Sequence, residues 1–215
     1  MADIFQEVDE EVRRDRALDF MRRYGSWLLS GAVAIVALAA GYTAWQQYNR
    51  NRHEQASARF DTAVSEVRGD KPKARASFET LTADAPQPYA GLAQLRIAAL
   101  EAETGDRAKA AALYGTASGE LSQPELRDLA QYLAVLERFD VAPPAESRAA
   151  LTTLAGPGRP MRAPAQELLA TLALRGGDVA TARSLWKSLM DDITTPAAMR
   201  QRAADMLAFL PGDKK

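Results

Sequence analysis

The hydrophobic pattern has its longest apolar run near the N-terminus. No charged residue occurs between Arg23 and Arg50, and residues 27–45 read WLLSGAVAIVALAAGYTAW. About 20 apolar residues, in a helix that rises about 1.5 Å per residue, cross the hydrocarbon core of a bilayer. Aromatic residues, which favour the membrane interface, mark both ends of the run: Tyr24, Trp27, Tyr42, Trp45 and Tyr48. The pattern predicts a transmembrane helix over residues 24–48.

The length of this run and the segment before it argue against a buried core helix and a cleaved signal peptide. The core helix of a soluble protein is rarely this long without a charge. A cleaved signal peptide would end near a small-residue triplet such as Ala37-Leu38-Ala39, but signal peptides begin with a short basic region. Here the preceding segment is long and rich in aspartate and glutamate. We therefore favour an uncleaved anchor.

Charges around the run predict its orientation. Five arginines precede it, namely Arg13, Arg14, Arg16, Arg22 and Arg23, and Arg50, Arg52 and Arg59 follow it. This excess favours a cytoplasmic tail over residues 1–23 and an external domain over residues 49–215. In a bacterium that domain would be periplasmic. In the tail, Ile4, Val8 and Val12 follow helical spacing, so a short amphipathic helix and a loosely ordered charged tail both remain open.

After the apolar run the sequence repeats with a period of 36 residues. Gly-Asp pairs occur at Gly69-Asp70, Gly105-Asp106 and Gly177-Asp178, so the spacings are one and two periods. Glycine adopts the left-handed conformation that ends many helices. Aspartate caps the helix that follows by accepting backbone N–H bonds. Each pair therefore predicts the turn of a helical hairpin. Taken alone, Gly176-Gly177-Asp178 could instead cradle a phosphate at a helix N-terminus.

Further columns of the repeat favour the hairpin turn. Five residues after each glycine comes an alanine: Ala74, Ala110 and Ala182. Nine residues after each glycine comes an aromatic residue: Phe78, Tyr114 and Trp186. Seven residues before each glycine comes a small residue: Thr62, Ala98 and Ala170. Small side chains let two helices touch, and the aromatic residue, on the same face as the alanine, fills the space towards the next hairpin.

The rest of the chain fits the same architecture less regularly. A copy near residue 141 reads DVAPPAESRAALTTLAG without Gly-Asp, which predicts a proline-containing loop and a short helix around 145–155. PGRP at 157–160 separates it from the last clear copy, and a helix around 195–210 would cap the stack, as solenoids require. The prediction is an all-α fold. One transmembrane helix precedes an α-solenoid of about three and a half degenerate hairpins and a capping helix.

Composition and motifs point away from catalysis. The net charge is −1, so a nucleic-acid partner is not indicated, and the chain has no cysteine and one histidine. A lone His53 without clustered carboxylates makes a poor metal site. Asp191-Asp192 is typical of a loop, and the sequence has no P-loop or dinucleotide-binding motif. We expect that the protein is not an enzyme and that it binds neither a cofactor nor a metal.

One candidate binding surface lies in the helix before the second turn. Leu92, Leu95, Ala99 and Ala102 form a stripe at helical spacing. If it faces the groove of the solenoid, it suits extended or apolar protein segments, with Arg59 and Arg96 as polar contacts. Much of the stripe could instead be core between helices, and both interpretations remain open here.

The whole arrangement resembles a known family. The repeat resembles the tetratricopeptide repeat. The N-terminal segment ADIFQEVDEEVRRDRALDFMRRYG, one span and degenerate repeats together resemble the YfgM family. That resemblance implies an ancillary subunit of the bacterial Sec translocon in the inner membrane. It also implies a periplasmic repeat domain that works with the chaperone PpiD on emerging secretory polypeptides. No catalytic motif carries the resemblance.

Other functions compete with this one. A periplasmic scaffold for envelope biogenesis or cell division would use the same repeats for a different partner. An enzyme or a signalling role of the cytoplasmic tail has less support. The sequence leaves the oligomeric state open.

Overall fold

The computed structural model describes the backbone of residues 3–210 and the side chains of residues 22–24, 26–27 and 29–210. All regular secondary structure in this part of the chain is helical. Two compact units divide the chain at residues 54 and 55. The helices are α1 (Asp3–Glu66), α2 (Lys71–Asp84), α3 (Tyr89–Glu103), α4 (Arg107–Glu120), α5 (Pro124–Arg138), α6 (Pro144–Leu154), α7 (Arg162–Arg175), α8 (Val179–Asp191) and α9 (Ala197–Phe209).

The first unit consists of most of α1. The backbone of the N-terminal tail is helical from residue 3, but the side chains of Ile4, Val8 and Val12 lie outside the described residues. Within the described part of the chain, one helix is long and apolar enough to cross a membrane, and its most apolar window is 0% buried. A core helix of a soluble protein would be covered by other elements. This helix is the predicted transmembrane helix, and the boundaries 24–48 stay a prediction.

The second unit is a stack of hairpins. The end of α1 pairs with α2, and α3 with α4, α5 with α6, and α7 with α8, while α9 packs on α8. Each second helix also contacts the first helix of the next hairpin. The copy near residue 141 is a complete hairpin, although α6 has only 11 residues. The described part of the stack therefore contains four hairpins and a capping helix rather than three and a half.

Among the described residues four hydrophobic clusters form the core, and the repeat columns contribute to three of them. The aromatic column is buried, with Phe78 0%, Tyr114 4% and Trp186 1% exposed. The alanines five residues after the glycines are fully buried: Ala74, Ala110 and Ala182. Each aromatic residue belongs to a different cluster. The stack is thus built from local cores, as in other repeat proteins.

The small residue seven positions before the glycine is buried in two copies of the repeat but not in the first. Ala98 and Ala170 are fully buried, but Thr62 is exposed and its hydroxyl donates to the carbonyl of Ala58 at 2.9 Å. The neighbouring Ala63 is buried instead. The prediction for Thr62 is wrong because the first turn closes differently from the others, so the residues of α1 have another register relative to their glycine.

The turns explain this difference. At Gly105 and Gly177 φ is +93° and +78°, in the left-handed region. The following N–H groups of Asp106 and Asp178 donate to carbonyls five residues back, at 3.2 and 2.9 Å. These bonds define the Schellman motif, which requires a left-handed residue. At Gly69 the next N–H, that of Asp70, donates four residues back to Glu66 at 2.8 Å. Gly69 therefore does not adopt the left-handed conformation predicted for it.

The last turn contains an additional glycine, Gly176, directly before its Gly-Asp pair. Gly176 is the C-cap of α7, with φ −79° and ψ 0°, and it corresponds to Thr104 at the end of α3. The turn is therefore no wider than that of the second hairpin, although it contains two adjacent glycines.

We expect Gly177→Val to lower the free energy of unfolding by about 1 kcal/mol or more, because a β-branched residue is strained in the left-handed region. Gly69→Val is the matched control. A Cβ at Gly69 meets nothing within 4 Å and its φ is not left-handed, so the change should cost much less. Urea unfolding of the two variants, followed by circular dichroism, measures the difference. Equal losses would contradict the assignment of these turns.

Candidate protein-binding surfaces

The apolar stripe of α3 lies mostly inside the stack. Leu95 is 7% exposed and belongs to the core cluster of the second hairpin. Ala99 and Ala102 pack against the same cluster, while Leu92 is half-buried. The structure thus buries Leu95, whereas Leu92, Ala99 and Ala102 are all partly exposed. Of these three, the two alanines pack against the core cluster of the second hairpin.

The two candidate arginines differ in their surroundings. Arg59 joins α1 to α2, since its guanidinium donates to Asp84 at 3.1 Å and to Thr80 at 3.5 Å. Arg96 is exposed on α3 and forms no ion pair with a side chain that the structure describes. Arg96 is therefore better placed than Arg59 to meet an acidic group of a partner.

Ion pairs connect successive hairpins, and residue spacing alone did not single them out. The carboxylate of Glu101 in α3 is buried, and it binds Arg75 of α2 and Lys109 of α4, the latter at 3.0 Å. Lys71 of α2 pairs with Glu103 at 2.9 Å, and Arg107 of α4 pairs with Glu137 of α5 at 2.9 Å. A buried carboxylate needs such partners. Except for Lys109, which lies in the same hairpin as Glu101, these partners join the first hairpin to the second and the second to the third.

The PGRP segment forms an ion pair with a second buried carboxylate. Asp128 of α5 is buried, and Arg159 Nε lies 3.3 Å from its Oδ2. Gly158 beside it has φ +74°, which lets the chain turn back towards α5. This loop thus serves packing between the third and fourth hairpins.

The helix N-termini after the Gly-Asp turns are already occupied by aspartate carboxylates. Asp70, Asp106 and Asp178 accept the backbone N–H groups of Lys73, Lys109 and Thr181 at 2.9, 3.0 and 3.0 Å. A phosphate at Gly176-Gly177 would compete with the carboxylate of Asp178 for the same donors. The capped turn is the better interpretation of this segment.

Hydrogen bonds make Asp178 sensitive to acid. Two hydrogen bonds from Thr181 hold the pKa of Asp178 below its usual value of 3.8. The larger effect comes from the side chain of Thr181 and the smaller one from its backbone N–H. A lowered pKa in the folded state means that the carboxylate stabilises the fold above the unfolded pKa. This contribution is lost as the pH falls through the folded value.

We expect Asp178→Asn to weaken the acid dependence of stability. Asparagine caps helices about as well as aspartate, but it does not titrate. The free energy of unfolding of the variant should therefore fall less steeply than that of the wild type below about pH 4. Thr181→Ala removes the side-chain hydrogen bond, which lowers the pKa of Asp178 the most. For this variant we expect a dependence of the free energy of unfolding on pH that is intermediate between the other two proteins. Identical slopes for all three proteins, in urea titrations at a series of pH values, would exclude this role of Asp178.

The structure gives little support for catalysis or metal binding at His53, Asp191 or Asp192. His53 is half-buried on α1. Among the described residues, three or more His, Asp or Glu side chains do not come together in a way that could hold a metal ion. Asp191 ends α8, and Asp192 caps it and accepts from Thr194.

Comparison with known families agrees with this geometry of stacked hairpins. A family model described as a tetratricopeptide repeat-like domain matches residues 19–203. The chain belongs to this family. The tetratricopeptide repeat-like protein is also 25% identical, over 200 residues, to the ancillary SecYEG translocon subunit of Escherichia coli (strain K12).

The alignment covers 91% of the chain and 93% of that relative. It therefore includes the apolar helix and the repeats of this tetratricopeptide repeat-like protein. The predicted membership of a YfgM-like family and the predicted fold class are confirmed. No solved structure matches the chain significantly.

Proposed function

We propose that this protein is a membrane-anchored subunit associated with the Sec protein-export translocon, where it acts as an adaptor or chaperone by binding other proteins. The observation that carries the proposal is the end-to-end alignment with a subunit named for this translocon. The match to a repeat family along most of the chain supports the same role. Both point to protein binding rather than catalysis.

The proposed arrangement follows the charge pattern. Residues 1–23 lie in the cytoplasm, residues 24–48 cross the inner membrane of a bacterium, and residues 49–215 lie in the periplasm. A tether to the membrane raises the effective concentration of the repeats near membrane-bound partners. Individual contacts can then be weak, which suits a subunit that handles many emerging polypeptides.

The proposed partners are the translocon, a PpiD-like periplasmic chaperone and emerging secretory polypeptides. Leu92 and Arg96 are the residues that we propose for contact with a partner, because both reach the surface of α3. On the same helix, Leu95 belongs to the core cluster of the second hairpin and the partly buried Ala99 packs against it.

Co-purification tests the association. Full-length protein solubilised in mild detergent should retain the translocon, whereas a variant with residues 24–48 replaced by an unrelated apolar span tests whether the anchor itself takes part. A photocrosslinker at Arg96 should give adducts with the chaperone or with a stalled secretory chain, and one at the exposed Gln201 of α9 serves as control. Absence of the translocon from every purification would refute the proposal.

Topology can be tested with single cysteines, because the chain contains none. An impermeant maleimide should label Ser122→Cys, at an exposed position, in cells with a permeable outer membrane. Ala2→Cys should react only after the inner membrane is opened. The reverse pattern would place the repeats in the cytoplasm and overturn the proposed orientation.

A further inference from the structure

The capping helix α9 has a row of exposed residues along one side. Its other side packs on α8, where Ala203 is fully buried in the same hydrophobic cluster as residues of α8. Away from this contact, residues at four-residue spacing follow one another along the helix: Ala197, Gln201, Asp205 and Phe209. All four are exposed. We call them the α9 row, and the described part of the chain leaves this row open to another molecule.

Large apolar side chains are exposed at both ends of α9. Phe209 is 85% exposed, and Ile193, in the loop before α9, is 88% exposed. Outside α1 these are the two most exposed large apolar residues that the structure describes. Arg200 of α9 donates to the carbonyl of Ile193 at 3.1 Å, which holds the loop against the first turns of the helix. A terminal helix of a solenoid needs a polar outer surface, so this exposure requires an explanation.

The order of residues in the α9 row is complementary to itself. A twofold contact between identical chains pairs residue i with residue j and residue j with residue i. When two α9 helices lie antiparallel with Ala197 beside Phe209, the equal spacing also brings Gln201 beside Asp205. A small side chain then meets a large one, and an amide meets a carboxylate. A parallel pair would instead place Phe209 against Phe209 and the carboxylate of Asp205 against its copy, and like charges side by side are destabilising.

The polar residues at the centre of the row have hydrogen-bonding groups to spare. Within the helix, Gln201 Nε2 donates to Asp205 Oδ1 at 3.0 Å. This bond uses one N–H of the amide and one oxygen of the carboxylate. The second N–H of Gln201 and Oδ2 of Asp205 form no hydrogen bond with a residue that the structure describes. In the antiparallel pair, the spare N–H of each copy faces the spare oxygen of the other.

We propose that α9 joins two copies of this chain as an antiparallel helix pair, in which Phe209 of each copy covers Ala197 and Ile193 of the other. One pair of 13-residue helices is small for a stable interface. Attachment of both copies to one membrane raises their effective concentration, which lets a small contact suffice. The self-association goes beyond the binding function proposed above and does not depend on the identity of other partners.

Pairs of single-cysteine variants test the antiparallel contact, because the chain contains no cysteine of its own. Full-length Ala197→Cys and Phe209→Cys, carrying different tags, are produced together and oxidised in membrane vesicles. We expect a disulfide between the two variants, because these positions face each other in the contact. Ala197→Cys alone should give none, because its two copies lie at opposite ends of the contact. A photocrosslinker at Gln201 should likewise join the chain to a second copy of itself.

Phe209→Glu is expected to weaken the self-association by about tenfold or more, equivalent to about 1.4 kcal/mol, because it places a carboxylate against apolar side chains of the second copy. Energy transfer between copies labelled at the exposed Ser122→Cys, in liposomes at a series of protein-to-lipid ratios, measures the change. Val141→Glu is the matched control. Val141 is similarly exposed, at 83%, but lies in the loop between α5 and α6, so this variant should associate as the wild type does.

Two results would overturn the proposal. One is that Ala197→Cys forms a disulfide with itself as readily as with Phe209→Cys, or that neither disulfide forms. The other is that Phe209→Glu associates as tightly as the wild type, which would assign self-association to the apolar helix or to another surface. Co-purification of the wild type with the translocon is measured separately. If it persists while the α9 contact fails, only the self-association is lost.

Discussion

Replacing Trp186 by alanine is expected to lower the free energy of unfolding by about 3–5 kcal/mol. Trp186 is 1% exposed in the cluster that joins the fourth hairpin to α9. Its buried neighbours there are mainly alanines, including Ala170 and Ala203. Such short side chains cannot move into the space that the indole leaves. The cavity would stay open, so we expect a loss in the upper part of this range.

The loss should also be local. In repeat proteins each unit contacts only its neighbours, and Phe78 and Tyr114 fill separate clusters. Hydrogen exchange should therefore accelerate in α7, α8 and α9 of the variant while α2 and α3 keep their protection. Phe209→Ala is the control, because Phe209 is 85% exposed, and it should change stability by no more than about 0.5 kcal/mol. Uniform loss of protection along the stack would show one cooperative core instead.

The repeat columns predicted much of this architecture because they act within one hairpin or between adjacent ones. A glycine followed by aspartate determines a helix end and the next helix start locally, as at Gly105 and Gly177. The aromatic residue then has to face the core at a constant offset. The copy near residue 141 lacks these residues, so its completeness as a hairpin became evident only from the pairing of α6 with α5.

Features that join different hairpins could not be predicted in this way. Glu101 binds Arg75 of the preceding hairpin, 26 residues before it, as well as Lys109 of its own hairpin, eight residues after it. Charged residues are frequent in the chain, and spacing does not select which of them meet. The small residues of α4 resemble those of any alanine-rich helix. Only the geometry of α5 and α6 shows that they line a groove.

At the first turn, the register obtained by aligning the glycines differs from the register in the structure, and this difference can be tested. Aligning the copies by their glycines puts Thr62 in the column of helix contacts, whereas the structure buries its neighbour Ala63. Ala63 lies in one cluster with Ala74, Phe78 and Ala93. A leucine at this position has no free space and would push α1 away from α2.

We therefore expect Ala63→Leu to lower the free energy of unfolding by about 1–3 kcal/mol, the usual cost of overpacking a core. Thr62→Leu should be close to neutral, because the side chain of Thr62 points to solvent and bonds only within its own helix. Leucine is also the better helix former of the two. Urea unfolding and hydrogen exchange in α2 measure both variants. A larger loss for Thr62→Leu than for Ala63→Leu would restore the register given by the glycines, and with it a left-handed turn at Gly69.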